Sequence, residues 1–270
     1  MSPTTEELLE IYRLKYDGKG WGPRMRLAAG YFSPDEFYES EVARHVVQGT
    51  TWADIGCGRD IFPSNRRLAE VLCARAASVV GIDPDPNVLE NPFVTERFQG
   101  MIEDYPAGKR FDLVTLRMVA EHITNPDIAV GKLARLLKPS GRLIIYTTSK
   151  WAPMSIIAML VPFGMHNTLK RLIWNSEARD TFPTAYKLNT RRDLSRHTSA
   201  HCLKEISYRI IDDCRITGGY RVLQWIELRI RKLLRAIGLR HPESCILAVY
   251  ERTGTPAAAK EPLSVQRASA

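Results

Sequence analysis

Trp52-Ala53-Asp54-Ile55-Gly56-Cys57-Gly58, followed by Val80-Gly81-Ile82-Asp83, is the stretch on which the fold turns. Thr50 to Ile55 reads as a short strand running into a glycine-rich turn, about Pro63 to Ala77 as a helix, and Ser78 to Asp83 as a second strand. Glycines at such a turn let the backbone approach a ligand, and an acid at the next strand end can accept both hydroxyls of a ribose. Strand, turn, helix, strand and acid in this order predict a nucleoside site. The dinucleotide fingerprint wants a third glycine where Ile61 stands, and an acid about 20 residues on. Asp83 comes 27 residues after Gly56, which disfavours an oxidoreductase.

Outward from this unit the alternation continues. Phe111 to Leu116, Arg142 to Thr147, Glu205 to Ile211 and Cys245 to Tyr250 read as strands. Helices are expected from Asp127 to Leu137, from Arg191, and from Arg221 to Ile237, the last ended by Gly238. Upstream, one helix ends near Asp17-Gly18 and another starts at Ser33-Pro34, with Lys19 to Arg24 between them reading as loop. Short apolar strands alternating with helices specify an α/β, doubly wound sheet covered on both faces. The organisation expected is a helical cap over 1–47, a binding domain over 48–252 with an insertion at 150–190, and a disordered tail over 253–270.

The composition, 44% apolar and 25% charged, is that of an ordinary globular chain. Its net charge of +8 is uneven: residues 1–150 carry −1 and residues 151–270 carry +9. The basic half is compatible with nucleic acid, an anionic membrane surface or an acidic small molecule. Five cysteines without a C-x-x-C pair support neither a disulfide scaffold nor a structural zinc site, so no metal is expected and a reducing cytoplasm fits best. The first residues do not read as a secretory signal. The longest apolar run, Trp151 to Met165, holds 15 residues, against roughly 20 for a membrane span.

The sequence resembles the class I S-adenosylmethionine-dependent methyltransferases, in the branch of small-molecule and lipid enzymes. The resemblance rests on five motifs in order over about residues 48–150. They are the Trp52–Gly58 and Val80–Asp83 stretches, Gly100-Met101-Ile102-Glu103-Asp104-Tyr105-Pro106, Phe111–Val114 followed by Met118-Val119-Ala120-Glu121-His122, and Leu137-Lys138-Pro139-Ser140-Gly141. It implies a Rossmann-like seven-stranded sheet, mostly parallel, with an antiparallel last strand. It also implies S-adenosyl-L-methionine as cofactor, bordered by Asp54, Gly56, Cys57 and Gly58. Asp83 and Pro84 would lie at the ribose, Ile102 and Glu103 beside the adenine, and Arg117 and Met118 beside the sulfonium. Two positions depart from the pattern: Met101 stands where the family often has Asp, and Ser140 replaces a turn glycine.

The expected activity is methyl transfer to an O, N or C nucleophile of a small or lipid-like acceptor, with or without an acidic group. Trp21, Arg24 and Tyr31, with Arg26, lie where the family places its cap and are candidate substrate contacts. His122 and His166 are candidate general bases, since imidazole titrates near neutrality. In the helix from Arg221, one apolar arc (Val222, Leu223, Ile226, Ile230, Leu233, Leu234, Ile237) is expected to cover the sheet. Trp225 and Leu228 then fall among basic residues, the pattern of a helix resting on an anionic membrane. An RNA or nucleic-acid methyltransferase and a non-catalytic cofactor-binding subunit are the alternatives. The former is disfavoured because no Asn/Asp-Pro-Pro-aromatic motif or RNA-binding module is present.

Overall fold

The computed structural model describes residues 3–153, 155–156, 183–215, 217–239 and 241–254. Strands β1 (Thr51–Ile55), β2 (Ser78–Asp83), β3 (Glu96–Gln99), β4 (Phe111–Arg117), β5 (Leu137–Thr148), β6 (Leu203–Asp212) and β7 (Glu243–Arg252) form one sheet, ordered β3-β2-β1-β4-β5-β7-β6. Neighbours among the first five strands are parallel, and β7 lies antiparallel between β5 and β6. This is the mixed seven-stranded sheet that the motifs imply. Strand β3 is absent from the periodicity of the sequence because Glu96-Arg97-Phe98-Gln99 is an edge strand, largely exposed on both faces, and shows no apolar alternation.

The alternation of side chains divides the core into two layers. On one face Val80, Ile82, Val114, Leu116 and Ile145 pack with Ala129, Val130 and Leu133 of helix α5 (Pro126–Leu136). On the other, Trp52, Val79, Leu113, Ile144 and Tyr146 meet Tyr38 and Val42 of α3 (Pro34–His45) and Leu68 and Leu72 of α4 (Arg66–Arg75). Helix α1 (Thr5–Tyr16) starts with a capping box: Thr4 Oγ1 accepts the Glu7 amide and Glu7 accepts the Thr4 amide. Lys19 to Arg24 is not a loop throughout, because α2 (Trp21–Ala28) begins inside it. Gly20, at φ +80°, makes the turn, and Pro23 sits in the first helical turn, where an amide proton has no partner to lose.

Helices α6 (Arg191–Ala200) and α7 (Arg221–Ala236) flank β6 in the chain. Helix α7 is rolled over relative to the expectation that its apolar arc covers the sheet. Gln224, Leu228 and Arg231 are buried, whereas Val222, Leu223, Ile226, Ile230, Leu233 and Ile237 are exposed. The cause lies at the end of β6, where the buried Asp212 carboxylate requires a counter-charge. Arg231 ion-pairs with it and Arg235 lies 3.4 Å away. With the apolar arc inward, Asp212 would be a buried charge without a partner, which is costly. Leu228 packs with Tyr31 and Cys214 and is therefore core.

His166 and most of the 150–190 insertion lie outside the described residues, as do residues 255–270. The two ends of the insertion are tied together: Lys150 donates its amide to the Asn189 carbonyl at 2.9 Å, and Asn189 Nδ2 donates to the Thr148 carbonyl at 2.7 Å.

Ser140, in the turn within β5, takes φ +62°, a left-handed conformation that costs an L side chain roughly 1–2 kcal/mol. Ser140→Gly relieves that strain while adding unfolded-state entropy, for a net gain of about 0.5–1 kcal/mol. We expect the melting temperature to rise by a few degrees. An unchanged or lower value contradicts strain at this turn.

Candidate functional site

The chain leaves β1 toward β2 and β3 and then returns to β4 on the other side of β1, so a crevice opens at the carboxyl ends of β1 and β4. Residues from four of the five motifs reach this edge: Asp54 lies next to the last residue of β1 and Gly56 to Gly58 follow it, Asp83 ends β2 with Pro84 after it, Ile102 and Glu103 follow β3, and Arg117 ends β4 with Met118 after it; the fifth motif, Leu137 to Gly141, starts β5 at the other edge. Gly56 has φ +70°, and a Cβ there would lie 2.1 Å from Val119 Cγ2. Only glycine fits that position. Met118, across the crevice, has φ +54° and donates its amide to the Tyr146 carbonyl at 2.7 Å.

Asp83 is buried and organises the loop. Its Oδ2 accepts the Gly58 amide and its Oδ1 the Asp85 amide, each at 2.8 Å. A carboxylate offers about four acceptor sites, so capacity remains for two ribose hydroxyls. Burial pushes the Asp83 pKa up. Asn91, which sequence reading missed, is fully buried and donates from Nδ2 to the Gly58 carbonyl at 3.0 Å. Nothing local in the sequence marks it, because its partner lies 33 positions away. Cys57 is buried, and burial raises its thiol far above the usual range, so its side chain packs while its backbone shapes the turn.

Ile102 is buried in a short 3-10 turn beside Met101, which is exposed. Glu103 Oε2 is buried without a hydrogen-bond partner among the described residues. A buried acceptor without a partner, in the turn after β3, fits a ligand carrying a donor amino group. Along β1, Trp52 Nε1 donates to Thr115 Oγ1 at 2.7 Å, and Thr115 Oγ1 donates to Asp54 Oδ1 at 2.5 Å. Burial pushes the Asp54 pKa up to about 7, against the opposing pull of the Thr115 bond and the Arg117 charge.

Helix α3 closes over this edge through charge. Asp35 is buried, ion-paired with Arg215, 3.5 Å from Arg117, and accepts the Tyr146 hydroxyl at 3.1 Å. Burial alone would raise its carboxyl, but the two guanidiniums hold it well below the usual carboxylate range. Lys15 of α1 pairs with Glu39 of α3 at 2.8 Å, and Asn65 donates to the same carboxylate at 2.8 Å.

Of the cap residues singled out as substrate contacts, Tyr31 is 1% exposed and is an anchor. Its hydroxyl donates to the Asp212 carbonyl at 3.2 Å and accepts the Cys214 amide at 2.8 Å, so it does not present itself to an acceptor. Arg24 is exposed and bonds back to the Gly20 carbonyl at 3.2 Å, and Trp21 opens α2 half-buried. Arg26 is buried against Tyr16, which donates its hydroxyl to Glu36 at 2.8 Å. Its guanidinium thus has a structural partner.

His122 follows β4 in a 3-10 turn, with Nδ1 3.0 Å from the Pro183 carbonyl. A carbonyl oxygen only accepts, so the proton of this bond is on Nδ1, and Nε2 is the basic nitrogen of the neutral ring. Glu121 is buried, accepts the Thr147 hydroxyl at 2.6 Å, and is pushed up in pKa by burial. Asn189 donates to Thr147 Oγ1 at 2.9 Å, which joins the insertion's end to this cluster. Elsewhere Asp212, Cys214 and His241 bring ligand atoms within 4.8 Å of one another, but the Asp212 carboxylate is already committed to Arg231 and Arg235.

The Asp54 shift sets a pH dependence. Its folded-state pKa of about 7 exceeds the unfolded value, so the folded chain holds an extra proton between about pH 4 and pH 7. That contribution is complete below the unfolded pKa and is lost as pH rises through the folded one. Melting temperature should therefore fall from pH 5.5 to pH 8, and Asp54→Asn should flatten the fall. An identical slope in the variant would show that Asp54 is not the titrating group.

Residues 32–204, more than half of the chain, match the model of the methyltransferase domain family. The chain is 26% identical over 147 residues to the ubiquinone biosynthesis O-methyltransferase of Agrobacterium fabrum, a match covering 51% of this chain and 55% of that protein. It is 28% identical over 142 residues to the mitochondrial ubiquinone biosynthesis O-methyltransferase of Schizosaccharomyces pombe, covering 46% and 50%. The chain spans about half the length of the curated relatives it matches. Its fold is similar to that of geranyl diphosphate C-methyltransferase from Streptomyces coelicolor A3(2), with a TM-score of 0.50 at 16% identity over 93% of this chain and 100% of that one. With its family model matched from the cap to β6 and four of its five motifs gathered at one sheet edge, the chain belongs to the methyltransferase domain family.

Proposed function

We propose that the chain transfers a methyl group from S-adenosyl-L-methionine to an oxygen, nitrogen or carbon nucleophile of a small or lipid-like acceptor, including acidic ones. The observations that support this reading are the crevice at the carboxyl ends of β1 and β4, the Gly56 turn that excludes a Cβ, the acceptor capacity Asp83 keeps beyond its two loop amides, and the unpartnered Glu103 oxygen after β3. In this reading Asp54, Gly56, Cys57 and Gly58 hold the methionine portion, Asp83 and Pro84 the ribose, Ile102 and Glu103 the adenine, with Arg117 and Met118 at the sulfonium.

When bound, the sulfonium supplies an already activated methyl group. The protein therefore has to position the acceptor and exclude water, which the α3 cap, held by Asp35, is placed to do. The names of the curated relatives favour oxygen as the accepting atom. A hydroxyl acceptor must lose a proton, and His122 Nε2 is the base we assign. His166, the second candidate, lies outside the described residues. All five cysteines are free thiols, which supports a reducing, cytoplasmic setting. No helix among the described residues is long and apolar enough to cross a membrane.

Asp83→Asn, which keeps an acceptor for the loop amides, should weaken S-adenosylhomocysteine binding about tenfold or more by calorimetry, with a smaller loss of melting temperature than Asp83→Ala, which also strips the Gly58 and Asp85 amides of their acceptor. Unchanged affinity would remove the ribose from this strand end. His122→Ala should lower turnover of a hydroxylated acceptor about 10²-fold with cofactor affinity unchanged. A lower melting temperature with a normal rate per folded molecule would make His122 structural instead.

A further inference from the structure

The outward face of α7 is a feature that the methyl-transfer reading leaves unused. Val222, Leu223, Ile226, Ile230, Leu233 and Ile237 are each 40–70% exposed, and Tyr220 and Leu239 extend the apolar surface past both ends of the helix. Soluble proteins seldom leave so continuous an apolar strip in water without a partner for it. The strip results from the charge pairing at Asp212, which fixes Gln224, Leu228 and Arg231 inward and so fixes the opposite face outward.

The borders of the strip say what covers it. At 100° per residue, Arg229, Lys232 and Arg221 run along one side, all exposed, with Trp225 among them. The Arg229 guanidinium lies 5.0 Å from the centre of the Trp225 ring. The acidic residue of the helix, Glu227, sits on the other border and is engaged by the Thr217 hydroxyl. We propose that this face docks the protein on an anionic phospholipid bilayer. The aliphatic side chains enter the boundary between headgroups and acyl chains. Arg229, Lys232 and Arg221 reach the lipid phosphates, and Trp225 lies at the polar interface.

Charge complementarity favours this occupant over an antiparallel pairing with a second copy of the chain. An antiparallel two-fold pairing of two α7 helices would set basic border against basic border, whereas an anionic lipid surface attracts both that border and the +9 carried by residues 151–270. Helix α7 also touches α2 of the cap, so docking would hold the cap side of the crevice toward the membrane, where a lipid-like acceptor resides. Membrane docking itself does not require the methyl-transfer reading, and a vesicle assay tests it separately.

The experiment is co-sedimentation of the full chain with vesicles of equal parts phosphatidylcholine and phosphatidylglycerol, and with phosphatidylcholine alone, at low and moderate salt. The wild type should bind the mixed vesicles and retain part of that binding at moderate salt. Ile226→Ser with Ile230→Ser and Leu233→Ser should weaken binding about tenfold or more, and Arg229→Glu with Lys232→Glu should remove the preference for the anionic vesicles. Both variants alter exposed residues and should melt as the wild type does. Binding that is absent in the wild type, or unchanged in the triple variant, overturns the proposal. A wild-type dimer in sedimentation velocity that the triple variant abolishes assigns the face to a second copy. A large drop in the triple variant's melting temperature assigns it to another segment of the same chain.

Discussion

One buried carboxylate ties the cap to the sheet. Asp35 sits near the start of α3, beneath the turn in which Glu36 accepts the Ser33 amide at 2.7 Å, and it faces Arg117 from the end of β4, Arg215 from beyond β6 and the Tyr146 hydroxyl from β5. Four separate parts of the chain converge there. Without Asp35 the Arg117 guanidinium would lose its ion-pair partner among the described residues, whereas Arg215 would keep its pair with Asp213 at 2.7 Å. The cap is therefore fixed over the carboxyl edge by electrostatics as well as by the packing of Tyr38 on Tyr146, whose rings stack at 5.2 Å.

The crevice beneath the cap follows from topology and one steric constraint. Reversal of strand order at β1 and β4 leaves no helix over the carboxyl ends between them, and the loop that fills the gap has to turn back under Val119. Gly56 permits the turn, and Asp83 and Asn91 clamp the loop from β2 and beyond. In the proposed reading, the carboxylate that holds the loop is also the acceptor for the ribose.

The sequence made legible what is encoded locally. The Trp52–Gly58 turn and the acid at Asp83 show themselves because strand, glycine and carboxylate lie within one βαβ unit, and the antiparallel last strand came with the family resemblance. Strand β3 was hidden because its neighbour β2, and not its own pattern, makes it a strand. Tyr31 looked like a substrate contact and is an anchor, since its partners at Asp212 and Cys214 are about 180 positions away. Helix α7 lies with the face opposite to its apolar arc inward, against the amphipathic rule, which assumes that the apolar arc is buried. Here the charge of Asp212 decides the orientation, and a buried ion pair outweighs the arc. Long-range polar pairs of this kind leave no periodic trace in a sequence.

The central assignment is that one nucleoside site lies along the carboxyl ends of β1, β2 and β4. Amide hydrogen exchange of the full chain, measured with and without S-adenosylhomocysteine, addresses it residue by residue. Slowed exchange is expected at Gly56 to Gly58, at residues 101–104 and at Met118 and Val119, with α7 unaffected. Exchange unchanged at this edge in the presence of saturating ligand, or protection confined to the β6 side of the sheet, would contradict the assignment.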